Sequence, residues 1–348
     1  MDTRLLLTGL TLTSVLALAG CGGDTSADAK PAAAADRPTA YDGPAKDLPE
    51  NFPVPKDTGE DMTIGYLQIY GALPTLAVQQ RGAEARAEEL GVELIVKDAE
   101  LNPQKQVSQF DELLAEGVDA IVVYPVVPES LGPALAKAEE AGIPVIATNA
   151  NPDVSQPLGE GYDADLEAPI DREAYAMAEF GADAQPGGKF GIIGNAAPIA
   201  ALKYMAEREQ YWGERFGLEF VGQVDAKEDT AAGYGPAVSE LIAKNPDIDQ
   251  IWVYNDLVAL TASTVVKSSG MDDVKIISNS GAGEAVLAAI KSGDIAMSYQ
   301  LPWADQGEAL INAAYGSVTG QHLPLPEMVS LQGIAITADN VDDATPTE

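Results

Sequence analysis

The chain has 348 residues, 54 acidic against 20 basic, and a net charge of −34 with its one histidine, His322, neutral. A hydrophobic share of 46% can fill a sizeable core, for about two domains of roughly 150 residues each, and excludes a disordered or collagen-like chain. The negative field disfavours nucleic acid and anionic membrane surfaces, and a single cysteine excludes internal disulfides and cysteine-rich metal centres, so no metal or other cofactor is expected.

Residues 1–20 join Arg4 to the apolar stretch LLLTGLTLTSVLALAG, too short and interrupted for a membrane span and suited to an export signal. It ends in Leu18-Ala19-Gly20-Cys21, which resembles the bacterial lipobox. Lipidation of Cys21 is therefore expected, holding the mature chain on the outer side of a membrane by acyl chains worth about 0.8 kcal/mol per buried methylene. Residues 21–61 are Ala-, Pro- and Asp-rich with no sustained apolar period, and a flexible lipid-anchored linker is expected there.

After Asp61 an apolar strand, a turn and an amphipathic helix closed by glycine recur. MTIGYLQIY precedes the helix PTLAVQQRGAEARAEEL with Gly91. VELIVKDA precedes PQKQVSQFDELLAE with Gly117. DAIVVYP precedes ESLGPALAKAEEA with Gly142, and IPVIATN is a fourth strand. Near-continuous Val/Ile runs between helices suit a parallel sheet buried on both faces. The rhythm breaks around Leu158–Leu166 and restarts with APIDREAYAMAEFGADA and KFGIIGN, running on to IAMSYQLP. The helix WADQGEALINAAYGSVTG and a tail strand near Met328–Ile336 follow. The expected fold is α/β with two Rossmann-like, doubly wound lobes, residues 62–163 plus 301–327 and residues 164–300 plus 328–345.

Ligands of open parallel sheets sit beyond the carboxyl ends of the strands. Those ends carry Tyr70, Tyr124, Asn149, Asn195, Asn255 with Asp256, Asn279 with Ser280, and Gln300. Planar amides donate and accept, as hydroxyl groups do, and aromatic faces pack on apolar faces of sugar rings. Asparagine after a strand also serves as a turn former, and the tyrosines also serve as packing between lobes. Enzyme signatures are absent: GAG at Gly281–Gly283 lacks the rest of a dinucleotide fingerprint, and there is no Walker lysine, nucleophile elbow or histidine-based triad. Asp163 and Asp165 alternate as in a solvated turn or a hinge between lobes.

From about Thr63 to Leu323 the order of segments resembles the type I periplasmic sugar-binding proteins of ribose-binding kind. The resemblance is carried by Gly91–Pro125, AGIPVIAT at Ala141–Thr148, NPDIDQIWVYNDLVAL at Asn245–Leu260 and AAIKSG at Ala288–Gly293. It implies three crossings between the lobes, near Tyr162–Leu166, Gln300–Pro302 and Leu325–Ser330, with a small ligand trapped on closure and delivered to an ABC permease. At ligand positions Asn255 and Gln300 match the family. Asn149-Ala150, Leu202, Ser280 and Thr75-Leu76 stand where it has an Asp-Arg pair, an arginine, an aspartate and two phenylalanines. The expectation is a monomeric solute-binding protein, not an enzyme, taking a neutral sugar or polyol through Tyr70, Thr75, Tyr124, Asn149, Asn195, Asn255, Ser280 and Gln300. A less polar solute, a sensor subunit and an exported sugar-acting enzyme are the alternatives.

Overall fold

The computed structural model describes residues 37–48, 52, 54–197, 199–279, 281–321 and 328–347. The expected export signal, Cys21 and Ser280 lie outside the described residues. The first lobe opens with β1 (Met62–Gln68), α1 (Pro74–Glu89), β2 (Val92–Asp98), α2 (Pro103–Glu116), β3 (Ala120–Val123), α3 (Gly132–Ala141), β4 (Val145–Ala147) and β5 (Ala164–Glu167). The second contains α4 (Ile170–Ala184), β6 (Lys189–Asn195), α5 (Ala200–Arg215), β7 (Glu219–Ala226), α6 (Ala231–Lys244), β8 (Gln250–Val253), α7 (Asp256–Ser268), β9 (Lys275–Ser278), α8 (Glu284–Ser292) and β10 (Met297–Gln300). Then α9 (Trp303–Thr319) and β11 (Met328–Ser330) return to the first lobe, and β12 (Ile334–Thr337) closes the second sheet.

Each sheet has six strands, ordered β11-β5-β4-β3-β1-β2 and β12-β10-β9-β8-β6-β7. All pairings are parallel except that of β10 with β12. Helix ends follow local chemistry. Asn102 opens α2 by accepting a hydrogen bond from the Lys105 amide at 3.0 Å, with Pro103 behind it. Gly117 closes α2 at φ +75°, a backbone state that costs any residue with a Cβ.

The lobes are joined at Ala168-Pro169, Leu301-Pro302 and Leu331–Gly333, between β5 and α4, β10 and α9, and β11 and β12. The boundaries expected after residues 163 and 327 are thereby corrected to just past β5 and β11, because both strands hydrogen-bond within the first sheet, to each other and, for β5, to β4. Asp165 and Glu167 are wholly buried on β5, so this stretch is a core strand and not a solvated turn. The Asp165 carboxylate accepts from the backbone amides of Ala150 and Asn151, and Glu167 also accepts from Asn151. Burial raises both carboxyls above the usual range; the neighbouring Asp165 raises Glu167 further, while the hydrogen bond with Glu167 holds Asp165 back.

The flexible-linker expectation is corrected for residues 37–48. Tyr41 packs edge-on to Tyr175 and lies against Trp212, with ring centroids 5.5 and 5.7 Å apart. Asp42 takes a two-pronged contact from Arg215 at 2.5 Å, and Arg37 pairs with Asp183 at 2.7 Å. Lys46 and Leu48 then exchange backbone hydrogen bonds with Ser330 of β11, at 2.7 and 2.9 Å. One aromatic ring, two charged side chains and two backbone hydrogen bonds suffice to dock a short segment, and they leave no periodic trace in the sequence.

Candidate functional site: a cleft between the lobes

A cavity of about 360 Å³ lies between the lobes, within the size range of small-molecule sites. Its walls come from the segments that follow strands in both lobes: Tyr70 after β1, Leu101 after β2, Tyr124 after β3 and Asn149 after β4. Opposite them stand Ile199 after β6, Asp229 after β7 and Tyr254-Asn255 after β8, while Ala168 and Trp303 border two of the crossings. The site is thus where strand polarity puts it.

Tyr70, Thr75, Tyr124, Asn149 and Asn255 all line this cavity. Two of the amides are also occupied by structure. Asn149, at φ +53°, accepts from the Ala168 amide at 2.7 Å and so fastens the end of β4 to the first crossing. It also hydrogen-bonds Tyr124, whose hydroxyl pKa is raised chiefly by burial. Asn255 is the N-cap of α7, accepting from the Val258 amide at 3.0 Å.

Two expected contacts are corrected. Gln300 does not line the cavity: its amide donates to the Thr345 carbonyl at 2.7 Å and holds the C-terminal tail against β10. Asn195 stands behind the wall, donating to the Tyr254 hydroxyl at 2.8 Å. Tyr254 is itself hydrogen-bonded to Tyr234, and the Tyr234 hydroxyl donates to Asp229. Burial pushes the Tyr254 hydroxyl up to about 12, so it stays protonated at neutral pH. Sequence reasoning missed Asp229 and Tyr254, and it missed that Leu73, Leu101, Ile170, Ile199, Met205 and Leu260 share the wall. The signal for Tyr254 was its place directly before Asn255; the apolar set has no signal, because it is assembled from separate segments.

Residues 74–322 match the family described as periplasmic binding protein domain. The chain belongs to that family. Among curated relatives, the binding protein is 28% identical to the xylitol-binding protein of Mycolicibacterium smegmatis over 280 residues, covering 79% of this chain and 77% of that one. It is 27% identical to the ribose import binding protein of Bacillus subtilis over 256 residues, covering 70% and 78%. A solved periplasmic solute-binding protein of an ABC transporter from Actinobacillus succinogenes, with bound D-allose, superposes with a TM-score of 0.74 at 20% identity. That match covers 82% of this chain and all of the other, and it establishes the fold. These relatives are binding proteins and not enzymes. Among the described residues of the binding protein no helix is long and apolar enough to cross a membrane.

Behind the cleft the binding protein buries two carboxyls that the site does not use. Glu173 is wholly buried, and Glu209 accepts from Asn279 at 3.1 Å. Burial pushes each up to about 8, with repulsion from Glu173 adding at Glu209. An unfolded glutamate releases its proton near 4.5, so between about pH 4.5 and 8 the folded state holds more protons and stability falls as pH rises, levelling off above 8. Glu173→Gln is expected to raise the unfolding midpoint at about pH 8 and leave it almost unchanged at about pH 5. Thermal melts at both pH values check this, and an equal shift at each would show that ionisation is not the cause.

Proposed function

We propose that this chain is a lipid-anchored, extracytoplasmic solute-binding component of an ABC importer, capturing a small neutral hydroxyl-bearing solute, of sugar or polyol kind or close to it, by closure of its two lobes. The observation that carries the reading is the cleft. It is walled by both lobes, sits at the strand ends, and is flanked by crossings short enough to act as a hinge. A solute touching Tyr124 on one side and Tyr254 on the other gains contacts only when the lobes are together, so it shifts the population toward the closed form. A permease that docks on both lobes then reads occupancy as shape. Xylitol and ribose in the names of relatives support a neutral, hydroxyl-bearing solute. No cofactor is required, because capture and release involve no bond chemistry.

Anchoring is tested by Cys21→Ala, which is expected to move the chain from the membrane fraction to the soluble fraction of cells. Retention in the membrane fraction would remove the anchor from the account. Capture is tested by the stabilisation a ligand gives, about 2.7 kcal/mol at a hundred times its dissociation constant. Failure of all neutral solutes to stabilise the fold would refute the reading.

A further inference from the structure

From the chemistry of the cleft wall we infer that the solute is a ring-sized, mainly hydrocarbon molecule with one or two hydroxyl groups, a cyclic alcohol in place of a fully hydroxylated sugar. The inference rests on the cleft being the solute site, as proposed above, and narrows the class that fits it.

Between its polar side chains the wall is mainly apolar on both sides. Leu73 and Leu101 from the first lobe face a cavity shared with Ile199, Leu202, Met205 and Leu260 from the second. Leu257 also lines it while 40% exposed, an apolar surface kept open to water at the cleft. A single hydrophobic cluster already runs from the second lobe's core across to Ile69 and Leu76 of the first. No lysine or arginine lines the cavity. A pyranose or inositol presents hydroxyls around its whole edge, and each one buried against leucine and methionine without a partner gives up its hydrogen bonds to water with nothing in return.

Tyr70 and Thr75 from the first lobe and Asn255 and Asp256 from the second also line the cavity, and two further polar groups have hydrogen bonds that define what they want. Tyr124 lies with Asn149 at one end. At the other, Tyr234 gives its proton to Asp229, so in the bond between the tyrosines Tyr254 is the donor. Tyr254 also accepts from Asn195, which leaves it one lone pair, beside the acceptor oxygens of Asp229. This end therefore favours a ligand group that donates. One hydroxyl satisfies it, with a second at Tyr124, and the ring between them meets the leucines.

The test compares solutes sharing one ring: cyclohexanol and menthol, with one hydroxyl, against myo-inositol, with six, and ribose and xylitol beside them. Calorimetric titration and thermal shift of the purified chain are expected to show saturable one-to-one binding of the cyclic alcohols and none or far weaker binding of the polyols. Leu202→Asn is expected to weaken cyclohexanol or menthol roughly tenfold or more without lowering the melting temperature of the free protein, since Leu202 is only partly buried. Tighter binding of myo-inositol, ribose or xylitol would overturn the inference and leave solute capture standing. Alcohol binding unchanged in Leu202→Asn would also overturn it, by placing the alcohol elsewhere. Silence from alcohols and polyols alike would overturn the inference and the proposed function together.

Discussion

Replacing Asp171 by alanine is expected to destabilise the protein by about 3–5 kcal/mol, the cost of leaving one member of a buried ion pair without its partner. Asp171 stands at the start of α4, directly after the crossing at Ala168-Pro169, and is 5% exposed. Its carboxylate accepts from the Trp212 indole nitrogen at 2.6 Å, from Arg208 Nη2 at 3.0 Å and from the Tyr204 hydroxyl at 3.0 Å, and pairs with the Arg208 guanidinium at 2.8 Å. Tyr204 reaches on to Asp153 in the first lobe at 3.4 Å, so the cluster also steadies the hinge. Asp171→Asn keeps an acceptor for Trp212 and is expected to cost less than the alanine variant. Denaturant unfolding checks both, and equal stability of wild type and Asp171→Ala would show that the cluster contributes nothing.

Gly307→Ala is expected to cost about 3 kcal/mol, the upper part of the range for overpacking a tight core. A Cβ at Gly307 would lie 1.9 Å from the Gln79 carbonyl oxygen, and one at Gly82 would lie 2.1 Å from that of Ala304. Helices α1 and α9 thus touch backbone to backbone, and no side-chain rotation relieves the overlap. Their junction is laced by a buried polar chain in which Tyr66 donates to Gln79, Gln79 to Gln306, and Gln306 to Thr148 and the Leu166 carbonyl. Because α9 begins with the cleft residue Trp303 just after the crossing at Leu301-Pro302, pushing the helices apart also moves the site. The variant is expected to lose solute affinity along with stability. A variant of unchanged stability would mean that the helices can separate freely.

These two sites show what a sequence displays and what it hides. The parallel strands were legible because burial on both faces demands runs such as Ala120–Val123 and Gln250–Val253, and because helices closed by Gly117 or Gly142 punctuate them. Strand β5 was not, since Asp165 and Glu167 give ADLE the look of a loop, and only backbone donors from the Ala150–Asn151 turn make their burial tolerable. Half of the cleft was legible in the same way: strand ends had to meet a ligand, and five of the eight expected residues line the cavity, from Tyr70 to Asn255. Its apolar character was not. Leu101, Ile199 and Leu260 are far apart in sequence and share a wall only because the two lobes face one another. Gln300 was misplaced because a residue next to a crossing can point toward the tail as readily as toward the cleft.

Capture between moving lobes is tested most directly by small-angle scattering of the chain alone and with whichever solute of the panel stabilises it most. The account predicts a smaller radius of gyration at saturation, and no change when the same solute is added to a cleft variant such as Leu202→Asn at a concentration too low to occupy it. Identical profiles at proven saturation of the wild-type chain would contradict closure, and with it the mechanism proposed for delivery.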